Sequence, residues 1–173
     1  MALAHDQLDR HEEVSTVDPE RYLAALVGNL ASALGFDPSR IGLSFGSEAR
    51  QISIESAISL GLIVNEALTN ALKHASPGRS GAPSILLSLA LEGSEYRLEI
   101  CDDGPGPGSA GLGQDGRANP EREGLGLMLM RALARGLGGK VSLVAIGGPE
   151  GPVGARFELR FPGEGRRVGA GPG

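Results

Sequence analysis

L-G-L-I-V-N-E-A-L-T-N-A-L-K-H-A-S, residues 60–76, is the stretch from which the rest of the chain can be read. Leu60, Ile63, Val64, Ala67 and Ala71 recur at the spacing of one helical face and predict a buried helix. Yet Glu66, Asn70, Lys73 and His74 follow one another at offsets of four, three and one, which at about 100° per residue gathers them on one side. A helix otherwise fit for a core therefore carries an acid, an amide and two bases along one flank. Buried polar groups are costly without partners, so that flank is expected to face a ligand or water. The helix is predicted over 54–75, with Ser53 as its cap and Pro77-Gly78 ending it.

Working outward, Asp18-Pro19 is a helix start, with Asp as cap and Pro in the first turn. Tyr22, Leu23, Leu26, Val27, Leu30 and Leu34 continue it to about Gly35. Ile41, Leu43 and Phe45 alternate and predict a strand over 40–46. Downstream, 84–91 and 95–101 read as two strands of a hairpin turned at Glu92-Gly93-Ser94. D-D-G-P-G-P-G then opens about twenty polar, Gly-rich residues, a length that in a compact domain points to function or disorder. Residues 124–137 return to helical spacing, with Met128 and Met130 read as core, and end at Gly138-Gly139. Two more strands follow, 140–146 and 155–161, with 147–154 as the turn. Cys101 is read as a small buried apolar residue. Three helices and about five strands, mostly hairpin-connected, predict a two-layer α/β sandwich with the helices on one face of a mixed sheet. Adjacent strand pairs argue against a doubly wound parallel sheet, which needs a crossover for each parallel pair.

The 173 residues suit one domain with loose ends. Three segments are expected: 1–17 as the end of a helix begun elsewhere plus a linker, 18–162 as the domain, and 163–173 as a disordered tail. A net charge of −5 with no basic stripe argues against nucleic acid as a partner. A single cysteine forms no internal disulfide, and no Cys/His cluster has zinc spacing. No apolar run reaches the roughly 18 residues of a membrane span, and a cytoplasmic location is expected.

Three separated segments need one explanation: the flank of Glu66, Asn70, Lys73 and His74; Asp102 at a strand end, followed by Gly104 and Gly106; and Gly124-Leu125-Gly126-Leu127 opening a helix. Together they suit a nucleoside triphosphate. A carboxylate past a strand can accept from an exocyclic amine, and flanking glycines let a flat base approach the backbone. A Gly-rich turn entering a helix offers unpaired N–H groups to phosphates. An Asn oxygen is a hard ligand for Mg²⁺, Lys73 and His74 can neutralise phosphates, and Glu66 can act as acid or base. There is no P-loop, because Gly139-Lys140 is followed by Val141.

These segments resemble, in order, the N box and the two glycine boxes of the GHKL ATPase superfamily. N-E-A-L-T-N-A-L-K-H-A-S-P is similar to sensor histidine kinases of the second dimerisation-helix subfamily, relatives of the HWE kinases. No Trp precedes the first glycine box, unlike a standard HWE kinase. The resemblance implies the Bergerat fold, ATP as ligand and Mg²⁺ held by Asn70. It implies adenine recognition by Asp102 with Gly104 and Gly106 beside it, and phosphates served by Lys73, His74 and the 124–127 box. Residues 107–123 would form a lid, and Glu66 would be the catalytic acid or base. The γ-phosphoryl would pass to a histidine on a phosphoacceptor domain and onward to a response regulator, with a homodimer as a possible state.

Two departures stand out. His5 lacks the context of a phosphoacceptor, so the acceptor is expected on another segment or chain. Gly154-Ala155 replaces the Gly-Thr of many relatives, which removes one hydroxyl. A stand-alone serine kinase of the anti-sigma-factor type and a non-catalytic binding module of the same fold are the two rival readings.

Overall fold

The computed structural model describes residues 16–46, 51–74, 85–104, 124–148 and 151–163. The readings for the helix end before residue 16, His5, Gly106, the 107–123 lid and all but the first residue of the tail fall outside these residues.

Asp18 caps the first helix, α1 (Pro19–Ala33), by accepting from the N–H groups of Glu20 at 3.0 Å and Arg21 at 3.3 Å. Gly35, at φ +70°, closes its other end while Phe36 N–H reaches back to the Ala31 carbonyl at 2.8 Å. The central helix, α2 (Ile54–His74), begins where Ser56 N–H donates to Ser53 Oγ at 3.2 Å, so the expected cap is the observed one. The third, α3 (Leu125–Gly136), ends in the same manner as α1, with Gly138 at φ +68° and Gly139 N–H bonded to the Ala134 carbonyl.

Among the described residues there are seven strands: β1 (Thr16–Val17), β2 (Ile41–Phe45), β3 (Ile52–Ser53), β4 (Ile85–Glu92), β5 (Glu95–Asp102), β6 (Lys140–Gly148) and β7 (Gly151–Pro162). Five form the main sheet, in the order β2-β4-β5-β7-β6, and β1 pairs with β3 in a small separate ribbon. Only β2–β4 is parallel in the main sheet, with α2 carried in the crossover between them. The hairpin β4–β5 turns on two residues, with Gly93 at φ +65°. The mixed five-stranded sheet with three helices is the predicted class.

Period-two alternation sorts the sheet into two faces. Ile85, Leu87, Leu89, Tyr96, Leu98, Ile100, Phe157, Leu159 and Phe161 point to the core, which α1, α2 and α3 complete. All five expected inward residues of α2 are buried there, with Leu60, Ile63 and Val64 fully so. Each such aliphatic side chain contributes roughly 1.5–3 kcal/mol by leaving water. The opposite face carries ion pairs instead: Arg97 to Glu92 and Glu99 at 2.7 and 3.1 Å, and Arg160 to Glu92 and Glu158 at 3.1 Å each.

Three expectations are corrected. Cys101 is half-buried because its place in the alternation puts it on the ion-paired face, not in the core. Burial still pushes its thiol up, and Glu99 adds to this. Met130 is buried but Met128 is exposed, since two residues on a helix point to opposite sides. Strands β6 and β7 run through most of the expected turn, meeting across a bulge at Ile146/Gly147.

Candidate functional site

Residues from separate elements meet at two places. The first lies between α2 and α3. Glu66 and Asn70 stand one helical turn apart and half-buried, and Asn70 Nδ2 donates to Glu66 Oε1 at 3.3 Å. Across from them is Gly126 in the first turn of α3. A Cβ placed on Gly126 would overlap Glu66 Oε1 and lie 2.9 Å from its Cδ and 3.2 Å from its Cγ. Only glycine lets the carboxylate come this close, so the expected N-terminal box of α3 does meet the polar flank of α2.

Gly124, which precedes α3, is extended at φ −68° and ψ 158° and, as glycine, offers no side-chain cap of its own. Its carbonyl accepts from the N–H groups of Leu127 at 3.1 Å and Met128 at 3.3 Å. The first-turn N–H groups carry the positive end of the helix, an arrangement suited to phosphate oxygens. Leu125 is 83% exposed, and Leu127 packs partly against the core. Lys73 is exposed in the last turn of α2. His74 ends that helix, and its side chain falls outside the described residues.

The second place is the end of β5. Asp102 Oδ1 accepts from Gly104 N–H at 2.9 Å, a local turn that fixes the direction of the carboxylate, and Gly104 is buried. Asp102 pairs with Ala155 of β7, so the small side chain of Ala155 is its neighbour across the ladder. A Cβ on Gly154 would overlap the Asp102 carbonyl oxygen and lie 3.2 Å from its carbonyl carbon. Sequence reasoning noted Gly154 only for the residue that follows it and missed this close backbone approach. Gly154 closes a Gly-rich stretch that reads as a turn, so no strand pattern marked it.

Among the described residues no three His, Cys, Asp or Glu side chains are grouped to hold a metal ion. Asn70 offers one hard amide oxygen, the kind of ligand Mg²⁺ takes alongside waters and phosphate oxygens. With Nδ2 turned to Glu66, the Asn70 oxygen is the atom directed away and suited to such a cation. Among the described residues no helix is long and apolar enough to cross a membrane.

Residues 38–141 match the model of the histidine kinase-like ATPase domain family. Blue-light-activated histidine kinase 2 of Erythrobacter litoralis is 29% identical over 145 residues, which are 83% of this chain and 40% of that protein. The chain thus spans less than half of that curated relative. Among solved structures, the histidine kinase domain of a blue-light-activated histidine kinase from Erythrobacter litoralis superposes with a TM-score of 0.66 at 24% identity, covering 85% of this chain and 66% of that one. The ATP-binding domain of PrrB from Mycobacterium tuberculosis gives a TM-score of 0.58 at 25% identity, covering 87% and 97%.

Proposed function

Because this chain belongs to the histidine kinase-like ATPase domain family, we propose that it binds ATP with Mg²⁺ and transfers the γ-phosphoryl group to a histidine supplied by another segment or chain. The observation that carries this reading is the meeting of Glu66, itself hydrogen-bonded by Asn70, with Gly126, which joins the polar flank of α2 to the start of α3. Asp102 accepts from the adenine amine, with Gly104 and Gly106 letting the base approach. In the Gly124–Leu127 box the N–H groups ahead of Leu127 face the phosphates, that of Leu127 being bonded to the Gly124 carbonyl, and Lys73 and His74 add positive charge. Asn70 Oδ1 would hold Mg²⁺, which when bound neutralises phosphate charge.

A neutral imidazole attacks with a nitrogen lone pair. The N–P bond forms as the bond from Pγ to the bridging oxygen breaks, ADP leaves, and the proton on the other ring nitrogen passes to solvent. The demands on the protein are thus mainly placement and charge stabilisation. The acceptor lies on a phosphoacceptor helix domain and hands the group to a response regulator in the cytoplasm, with two copies of the chain joined through that domain. Residues 18–162 form the catalytic domain of this arrangement.

The test is transfer of label from γ-labelled ATP to a dimerisation-helix domain carrying the acceptor histidine. Label that survives alkali and is lost in acid identifies phosphohistidine and supports the proposal. Acid-stable label would point to the serine-kinase reading, and tight nucleotide binding without transfer to the non-catalytic module.

A further inference from the structure

We infer that Glu66 is a positioning residue for Asn70, held in place by Gly126, and not the proton acceptor of the reaction. The inference rests on the nucleotide-binding reading above and assigns the acid a different task within it. A carboxylate only accepts hydrogen bonds, whereas an amide has one donating and one accepting end. Glu66 Oε1 takes the donor end of Asn70 at 3.3 Å and so selects one of the two amide orientations. In that orientation Oδ1 points away, ready for a cation. In the flipped one, Oδ1 would face the carboxylate and the NH₂ group, which cannot ligate, would face the cation.

Gly126 holds the carboxylate in this place. Three atoms of the Glu66 side chain fill the volume that a Cβ on Gly126 would need. The start of α3 also attracts the negative charge. Gly126 therefore serves the acid on α2 as well as any phosphate above it. A Cβ there would meet the far end of a flexible side chain, not backbone, so it would displace Glu66 and release Asn70 without breaking the fold. Attack by a neutral imidazole needs no base at the attacking nitrogen, which leaves Glu66 available for this role.

The experiment is calorimetric titration of a non-hydrolysable ATP analogue, with and without Mg²⁺, on the wild type, Glu66→Gln, Glu66→Ala, Gly126→Ala and the Glu66→Ala/Gly126→Ala double variant. Glu66→Gln keeps an accepting oxygen and is expected to retain the Mg²⁺-dependent gain in affinity to within about threefold. Glu66→Ala and Gly126→Ala are each expected to lose about 10–100-fold of that gain, the usual cost of removing a partner that orients a metal ligand. The double variant is expected to be no worse than either single one.

A full Mg²⁺-dependent gain in Glu66→Ala would overturn the inference, as would a loss in Glu66→Gln equal to that in Glu66→Ala. If the wild type bound no nucleotide, the functional reading would fail on its own. Urea unfolding of the same variants would then decide the clamp. Relief of the Gly126→Ala effect by Glu66→Ala supports the clamp, and strictly additive effects reject it.

Discussion

The two ends of the site each depend on a glycine, but for different physical reasons. At the end of β5, the missing Cβ of Gly154 makes room for the Asp102 carbonyl group, part of the backbone of a paired strand. At the start of α3, the missing Cβ of Gly126 makes room for the tip of the Glu66 side chain. Backbone inside a sheet cannot retreat without breaking ladder hydrogen bonds, whereas a carboxylate can swing aside. One end is therefore built by the fold and fails by unfolding. The other is built by side chains on a completed fold and, on the proposed reading, fails by losing its ligand geometry. Such a division suits a domain that holds a flat base in a fixed place and adjusts around charged phosphates.

Alanine at the two glycines tests this division most severely. Gly154→Ala is expected to lower stability by about 3 kcal/mol, the upper range for forcing extra volume into a packed region. Gly126→Ala should change stability by less than about 1 kcal/mol, because added helix propensity offsets the displaced side chain. Urea unfolding midpoints compare them directly, and equal midpoints would erase the distinction. The smallest expected effect lies at Asp37, remote in sequence from both ends. The backbone N–H of Ser39, and then its hydroxyl, hold the Asp37 carboxyl below its usual value. A lowered value in the folded state contributes stability above the unfolded carboxylate value of about 3.9, lost as pH falls through the folded value. Asp37→Ala should therefore soften the fall in unfolding midpoint below about pH 4 and leave nucleotide affinity unchanged. A change in affinity would mean that the site is not confined to its two ends.

Where one physical signal dominated, the sequence was readable. The 3.6-residue spacing and Ser53 placed α2, and strict alternation with Gly93 placed β4 and β5. The β1–β3 ribbon was not legible, because two residues a side carry no periodicity. The outer halves of β6 and β7 were masked by glycine, which reads as a turn even where a bulged ladder continues. The polar flank of α2 named Glu66 and Asn70 correctly as neighbours, since an offset of four is local geometry. That Glu66 would rest on Gly126, and Asp102 on Gly154, depends on how distant elements approach, which spacing along the chain does not encode. The exposed Leu125, Met128 and Leu129 of α3 show the same limit, because apolar spacing defines a face without saying what covers it.

The central claim is that these two ends hold one Mg²⁺-dependent adenine nucleotide. Titrating wild type and Asp102→Asn with a non-hydrolysable ATP analogue, with and without Mg²⁺, tests it most directly. Tighter binding with Mg²⁺, weakened about tenfold or more by the substitution with the Mg²⁺ dependence retained, is the expected result, since a hydrogen bond to a charged group contributes about 1.5–3 kcal/mol. A folded wild type that binds no nucleotide, or an Asp102→Asn variant that binds as well as wild type, would contradict it.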